Sequence, residues 1–180
     1  LISPWFIPSE RGLGVLCTLV KRGVRVRVHT NSLASTDVPV VHAGYARHRP
    51  RLLACGVELH ELRPLVHRLA RLRPGLSSGA SLHSKAVIVD GQFVLIGSMN
   101  LDPRSRLLNT EVALQIESAQ LGQQLGSLFD EATALEQAFR VELAEPGNPA
   151  AQLRWESMEG ERAVRYTSEP LASGWRQFFV

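Results

Sequence analysis

The most regular hydrophobic pattern in the chain is a pair of short apolar runs separated by a turn dipeptide. Residues 86–89 (AVIV) and 93–96 (FVLI) flank Asp90 and Gly91, and Asp-Gly between such runs is the strongest short-range signal for a β-hairpin. Continuous apolar runs are typical of strands buried on both faces, so we expect this hairpin at the centre of a sheet. Polar side chains stand at both of its ends.

Before the hairpin, the pattern predicts strand, helix and strand in succession. Residues 1–6 indicate a strand end, and an apolar stripe then predicts a helix from its N-cap Ser9 to about Arg22, ended by Gly23. Residues 24–28 alternate apolar and polar side chains, which predicts a half-buried strand. Such a unit favours a right-handed crossover and a parallel or mixed sheet covered by helices.

Two loops and two further elements precede the hairpin. The first loop, residues 30–39, follows the strand at 24–28 and contains several short polar side chains, and such loops often carry binding groups in α/β folds. Residues 40–55 predict a helix that is basic on one side, interrupted by Pro50 and ended by Gly56, and residues 57–62 predict a strand. Residues 63–80 are rich in Arg, Pro, Gly and Ser. They predict a flexible loop that is either a basic lid over a site or an ordinary surface loop.

After the hairpin, residues 109–118 alternate and predict a third strand beside it. Residues 119–137 carry one apolar stripe and predict an amphipathic helix. Residues 139–167 alternate around the turn EPGNP and predict a small antiparallel excursion, and residues 171–178 predict a short final helix. Together these elements predict a single α/β domain over residues 1–180.

Composition fits that prediction and adds an uneven distribution of charge. The 180 residues are 44% hydrophobic and 21% charged, as in ordinary globular domains. Residues 1–75 carry 12 Lys and Arg against 4 Asp and Glu, whereas residues 76–180 carry 8 against 13. A basic first part would suit lipid or nucleic-acid phosphates, but a bias toward arginine codons is the favoured explanation of the predominance of arginine over lysine. The sequence does not begin with Met, and we expect it to be a fragment of a longer chain.

Two cysteines, Cys17 and Cys55, lie in apolar helical contexts without metal-ligand spacing. We interpret them as buried free thiols rather than as a disulfide, which fits a reducing compartment.

The polar residues at the ends of the hairpin carry the candidate chemistry. Alternate side chains of a strand share a face, so His83 and Lys85 project side by side, and a buried cation there requires an anionic partner. The full spacing is His-x-Lys, four residues, Asp90, six residues, and Gly-Ser-x-Asn, which ends with Ser98 and Asn100.

This spacing resembles the HKD signature of the phospholipase D superfamily. Three other stretches, LISPWFIP, RGVRVRVHTNSLASTDVPVVHAGYARHR and RYTSEP, resemble the C-terminal half of bacterial cardiolipin synthases of the phospholipase D type. The resemblance implies a phospholipase D-like α-β-α sandwich with a mixed, mostly parallel central sheet flanked by helices.

The resemblance also implies a reaction. In the family, the motif histidine attacks a phosphodiester phosphorus and forms a phosphohistidine, a second histidine protonates the leaving alcohol, and an incoming alcohol or water resolves the intermediate. It implies no metal and no other cofactor. Neutral imidazole suits this role, because it can act as a nucleophile or an acid near pH 7.

Six residues are therefore candidates for the site. His83 is the expected nucleophile, and Lys85 and Asn100 are expected to donate to the phosphate oxygens. The resemblance assigns Glu111 as the carboxylate that orients the histidine ring. Ser98 either donates to the phosphate or braces its turn, and Asp90, although it belongs to the motif, is expected to serve the hairpin turn. The other histidines, by contrast, are assigned to packing or to the surface: His29, His42, His48, His60 and His67. For His42, which lies with Tyr45 in a stretch that resembles the synthases, an approach to the substrate is the alternative.

The family builds its active site from two such motifs, and this sequence contains one. We expect either an N-terminal half with a second HKD motif or a homodimer partner. The resemblance implies phosphatidylglycerol and a second phospholipid as substrates, at the cytoplasmic face of a bacterial inner membrane. A homodimeric phosphodiesterase or endonuclease that takes nucleic acid is the alternative enzyme, and an inactive phosphate-binding module is the alternative outside enzymes.

Overall fold

The computed structural model describes residues 1–64 and 81–178. Its helices are α1 (Glu10–Lys21), α2 (Pro39–Ala46), α3 (Arg49–Ala54), α4 (Pro103–Leu107), α5 (Ala119–Ala132) and α6 (Gly174–Gln177). Its strands are β1 (Arg27–Asn31), β2 (Glu58–Leu62), β3 (Ala86–Val89), β4 (Phe93–Gly97), β5 (Ala113–Glu117), β6 (Ala138–Leu143), β7 (Leu153–Glu159) and β8 (Arg162–Tyr166). The predicted loop at 63–80 lies outside the described residues, apart from Arg63 and Pro64.

A mixed sheet with flanking helices forms the centre of the fold, as the sequence predicts. One part has the strand order β1-β2-β6-β7-β8, and the other has the order β3-β4-β5. Ile2 connects them, because it pairs with His29 of β1 in a parallel bridge and with Ala86 of β3 in an antiparallel bridge.

The expectation of a mostly parallel sheet is wrong. Among the described strands, β1 and β2 pair in parallel, whereas β2–β6, β6–β7, β7–β8, β3–β4 and β4–β5 are antiparallel. Most of these partners are joined by tight turns or short loops, which can link only antiparallel neighbours; a parallel pair needs a long crossover. The predicted excursion at 139–167 is antiparallel, and through β6 it continues the main sheet.

The helix at the start of the chain is confirmed, while the strands around it differ from the prediction. Ser9 caps α1 by accepting a hydrogen bond from the Gly12 N–H. The strand predicted at 24–28 begins at Arg27 and ends at Asn31, and His29, Thr30 and Asn31 are all buried. It is therefore not half-buried, because it lies in the interior of the sheet between β2 and the segment that contains Ile2.

The helix predicted at 40–55 divides into α2 and α3. Pro50 does not interrupt a helix; it occupies the first turn of α3, where a missing N–H costs nothing because it has no helical partner. The predicted helix at 119–137 ends earlier, at Ala132, and the predicted final helix is the single turn α6.

The interpretation of the cysteines as free thiols is wrong. Cys17 of α1 and Cys55, which follows α3, form a disulfide with Cα atoms 5.4 Å apart. The apolar stripe of α1 packs beside α3 and brings the two side chains to a separation that a disulfide can span. The argument for a reducing compartment is lost with the free thiols.

The hairpin and its third strand are confirmed. β3 and β4 pair from Ala86–Ile96 to Val89–Phe93, and Asp90 and Gly91 take the positive φ angles of 52° and 63° that the tight turn requires. Burial on both faces is not observed, since Val89 is 47% and Phe93 38% exposed. Helix α5 packs against β3 and β4.

A charged cluster lies inside the larger part of the sheet. Arg49 of α3 is buried, contacts the Glu61 carboxylate at 3.0 Å and also pairs with Glu169, while the indole N–H of Trp155 donates to Glu61 at 2.9 Å. Burial alone would lower the pKa of Arg49, but the two carboxylates raise it above its usual value. The cluster connects α3, β2, β7 and the segment before α6.

Candidate active site

The motif residues from both ends of the sequence pattern meet at one end of the hairpin. His83 and Lys85 precede β3, and Ser98 and Asn100 follow β4. Because the two strands are antiparallel, the start of one lies beside the end of the other, and the Gly97 N–H donates to the Lys85 carbonyl at 3.3 Å. Asp90 is exposed at the opposite end, in the turn.

His83 is an exposed side chain on an anchored backbone. Asn31, at the end of β1, holds the preceding residue by both polar groups: its Oδ1 accepts from the Leu82 N–H at 2.9 Å and its Nδ2 donates to the Leu82 carbonyl at 3.2 Å. The sequence indicated the loop after β1 as a place for binding groups but did not single out this residue. Asn31 therefore fixes the approach of the backbone to the candidate nucleophile.

Lys85 is the ammonium of the site and is half-buried. Its Nζ donates to the carbonyl of His83. Loss of solvent lowers the pKa of Lys85, while the carboxylates of Glu111 and Asp37 act in the opposite direction. Asp37, which the sequence pattern did not indicate, also accepts a hydrogen bond from the Trp5 indole at 3.2 Å.

Glu111 lies in the same region but contacts other residues than expected. Its carboxylate accepts from the Ser98 hydroxyl and, at 3.1 Å, from the Asn109 side-chain amide. These hydrogen bonds lower the pKa of Glu111, and the charge of Lys85 lowers it further. Among the hydrogen bonds of residues 1–64 and 81–178, none joins Glu111 to the ring of His83. The residue lies before β5 begins at Ala113, so its side chain turns back toward Ser98.

Ser98 braces the end of the hairpin against the segment that carries Glu111. Its hydroxyl accepts from the Val112 N–H at 3.0 Å, and its own N–H donates to the Val112 carbonyl at 2.9 Å. The neighbouring Gly97 has no room for a side chain, because a Cβ there would collide with the backbone of Val112 and Ala113. The Gly-Ser pair of the motif thus permits close backbone contact.

Asn100 is half-buried, and its Oδ1 is an inaccessible atom without a hydrogen-bond partner in the described part of the chain. It also lines a pocket of about 390 Å³ between α1 and residues 99–106. Asn100 therefore belongs both to the motif and to the lining of this pocket.

The remaining histidines do not join this cluster. His29, His42 and His60 are buried, and the interpretation of packing is confirmed for them. Burial lowers the pKa of His29 and of His60 to about 4, so both are neutral near pH 7. His67 lies outside the described residues.

Taken together, the hairpin end presents an exposed imidazole, an ammonium, a carboxamide and an ionised carboxylate. Such a set suits an anion with several oxygens, because the ammonium and the amide donate hydrogen bonds to it while the imidazole can attack or transfer a proton. Among the residues the structure describes, no group of three or more His, Cys, Asp or Glu side chains could hold a metal ion. The same residues include no helix long and apolar enough to cross a membrane.

Comparison with known proteins agrees with this geometry. The family described as "Cardiolipin synthase, PLD-like domain" matches residues 1–133. Cardiolipin synthase C of Escherichia coli is 40% identical over 183 residues, which cover 100% of this chain and 38% of that protein. Cardiolipin synthase A of Klebsiella pneumoniae is 32% identical over 131 residues, 73% of this chain and 24% of that protein. The chain thus spans less than two fifths of these relatives.

Solved structures share the fold at low sequence identity. The phospholipase D family member Nuc from Salmonella typhimurium aligns with a TM-score of 0.58 at 19% identity, over 78% of this chain and 79% of Nuc. Phosphatidylserine synthase from Haemophilus influenzae aligns with a TM-score of 0.58 at 16% identity, over 83% of this chain and 34% of that protein.

Proposed function

The chain belongs to the family of cardiolipin synthase, phospholipase D-like domains, and from this membership we propose that it carries one of two catalytic motifs of a phosphatidyltransferase that forms cardiolipin. The observation that carries the proposal is the convergence of His83 and Lys85 with Ser98 and Asn100 at one end of the hairpin. Two pairs of motif residues thereby lie at the same end of the hairpin, which supports the proposal that they bind a single phosphate.

The proposed first step uses His83 as the nucleophile. A ring nitrogen forms a bond to the phosphorus of phosphatidylglycerol, the bond from phosphorus to the head-group glycerol breaks, and the departing oxygen receives a proton from a histidine of the second motif. In the second step, a hydroxyl of another phospholipid's head group attacks the phosphohistidine, its proton passes to the histidine of the second motif, and the bond from phosphorus to His83 breaks. Because the overall reaction exchanges one phosphodiester for another of similar energy, no nucleotide is required.

Lys85 and Asn100 are proposed to stabilise the phosphate as charge accumulates on its oxygens. Lys85 is partly desolvated, and hydrogen bonds from a charged donor are stronger where water is excluded. The Nδ2 group of Asn100 adds a neutral donor.

We further propose Glu111 as the carboxylate that orients His83 in the complete site. Two observations support this role. The pKa of Glu111 is lowered, so that its carboxylate is ionised, and the residue lies at the end of the hairpin where the motif residues meet. In the present arrangement it secures Ser98, so it contributes to the shape of the site in either role.

A second catalytic half is proposed to cover the apolar surface near the site. Leu107, Leu108, Val112 and Leu114 are each more than 60% exposed, which is unusual for a contiguous stretch of sequence in a monomer. The length of the relatives leaves room for such a half within the complete protein, and a homodimer is the other arrangement. We propose that the enzyme acts on phospholipids at the surface of the inner membrane.

The test is the product formed from labelled phosphatidylglycerol by the complete gene product and by its His83→Asn variant, in which the amide cannot form the phosphohistidine. We expect cardiolipin from the wild type and a loss of at least a thousandfold in the variant, since a nucleophile is removed. His48→Asn, on the half-buried link between α2 and α3, is the matched control. Cleavage of single-stranded DNA without formation of cardiolipin would instead support the phosphodiesterase, and cardiolipin from both proteins would refute the proposal.

A further inference from the structure

The pocket beside Asn100 is mainly apolar and directly adjoins the candidate active site. It has a volume of about 390 Å³ and is enclosed by the first turns of α1, by the preceding segment and by residues 99–106. Apolar side chains such as Phe6, Ile7, Leu16 and Met99 form most of its wall. Its volume falls within the range of about 300–1,000 Å³ that is typical of small-molecule sites.

Asn100 belongs both to the pocket and to the motif. Its Oδ1 is inaccessible and has no hydrogen-bond partner among the described residues, which leaves the polar end of the pocket unsatisfied. The pocket therefore adjoins the proposed phosphate site at Asn100, whereas His83, Lys85 and Ser98 are not part of its lining.

The rim of the pocket combines positive charge with exposed apolar surface. Arg11 of α1 and Arg106 of α4 line it and are exposed, and Val15, on the next turn of α1, is 53% exposed. The acidic group in the lining, Asp102, caps α4 through its Oδ1, which accepts from the N–H groups of Arg104 and Ser105. Its Oδ2 is buried and has no hydrogen-bond partner among the described residues. An amphiphile with an anionic head and a hydrocarbon tail matches this arrangement.

We propose that the pocket binds one acyl chain of the phospholipid whose phosphate is held by His83, Lys85 and Asn100. The inference rests on the proposed function and extends it to recognition of the substrate. A hydrocarbon chain gains from burial in such a pocket, because its transfer out of water is favourable. A segment of the complete protein or a second copy of the chain are the other possible occupants, and the test below distinguishes them.

Two glycines of α1 provide a matched pair of variants. A Cβ on Gly12 would lie 3.6 Å from Pro8 and Ser9, which line the pocket, whereas a Cβ on Gly14 would meet nothing within 4 Å. Gly12→Leu therefore places a side chain against the pocket wall, and Gly14→Leu makes the same exchange on the same helix outside it. Both should favour the helix, because leucine has the higher propensity.

The measurement is the dissociation constant, by equilibrium dialysis with the complete protein, for dibutyroyl and dihexanoyl phosphatidylglycerol at monomeric concentrations. Glycerophosphoglycerol, the same head group without acyl chains, is the reference for each protein. Two additional methylenes in the pocket should tighten binding on the order of tenfold in the wild type and in Gly14→Leu. In Gly12→Leu this gain should disappear.

Equal binding of the three compounds by the wild type would overturn the inference and would indicate that another part of the protein fills the pocket. An undiminished gain in Gly12→Leu would overturn it as well. If Gly12→Leu does not fold, Val15→Asp replaces it and should weaken the gain through a charge at the exposed rim. The assay measures binding and not turnover. If the dissociation constant still depends on acyl chain length but the complete protein forms no cardiolipin, the proposed function is refuted while the pocket remains an acyl-chain site.

Discussion

Asn31 contributes to the candidate active site, and sequence reasoning did not identify it as a site residue. Besides its two bonds to Leu82, it donates to the Pro4 carbonyl at 3.3 Å and accepts from the Ser35 hydroxyl at 3.1 Å. Its side chain thus connects the first segment, the loop after β1 and the approach to His83. A partner 51 residues away cannot be inferred from local pattern, although a polar cluster at the end of a strand indicated the region.

We predict that Asn31→Leu lowers kcat roughly tenfold to a hundredfold in the complete enzyme and changes KM little, because a shift of about 1 Å in a reacting group has an effect of this size. The side chains are similar in volume, but the leucine can bind neither polar group of Leu82. Steady-state kinetics on phosphatidylglycerol provide the measurement.

Asn31→Asp is the accompanying control, since it keeps the acceptor for the Leu82 N–H and should retain more activity than Asn31→Leu. If both variants melt at lower temperature but keep the wild-type kcat, Asn31 is a structural residue and does not position His83.

The sequence predicted which residues form the motif but not which contacts their side chains make. The antiparallel hairpin alone requires His83 and Lys85 to lie near Ser98 and Asn100, and the sequence specifies that hairpin. The direction of the Glu111 carboxylate depends on where β5 begins and on the hydroxyl of Ser98. Those details arise from packing and could not be inferred from spacing.

Among the elements, α1 and α3 show how a sound local prediction can miss a tertiary contact. The helical character of both segments was predicted from their apolar positions. The pairing of Cys17 with Cys55 depends on the approach of the two helices, which places the Cα atoms 5.4 Å apart. Apolar surroundings favour a buried thiol until a second thiol lies within bonding distance.

The disulfide leads to a prediction for stability. It closes a loop with a sequence separation of 38 residues, and reduction should lower the free energy of unfolding by about 4 kcal/mol on the chain-entropy estimate. Urea unfolding with and without dithiothreitol measures this difference, and the double variant Cys17→Ala/Cys55→Ala should behave like the reduced protein. If the wild type unfolds at the same urea concentration under both conditions, the thiols are free in solution.

For the whole molecule, class and family were predictable, whereas the direction of most strands was not. The strand–helix–strand start suggested parallel pairing, and β1 with β2 fulfils it. The later strands return through short connections and pair antiparallel, and their alternating pattern showed that they are strands without showing where they join the sheet. The exposure of β3 and β4 could not be predicted from the local sequence pattern either, because their burial depends on which other elements cover the sheet.

For the whole molecule, we propose that one motif of a two-motif enzyme supplies the nucleophile. The chain contributes an exposed imidazole with ammonium and amide donors beside it, together with the apolar surface of Leu107, Leu108, Val112 and Leu114. Under the proposal, the acid that protonates the leaving group belongs to the other half. Both halves are therefore needed for turnover, but the covalent bond forms on this one.

The most direct measurement is the site of the covalent intermediate. The complete enzyme is mixed with dihexanoyl phosphatidylglycerol, quenched at alkaline pH to preserve phosphohistidine, digested and analysed by mass spectrometry. We predict a phosphatidyl adduct on the peptide that contains His83 and none on that peptide from the His83→Asn variant. An adduct on a different histidine, or formation of cardiolipin by the variant, would contradict the assignment of His83 as the nucleophile.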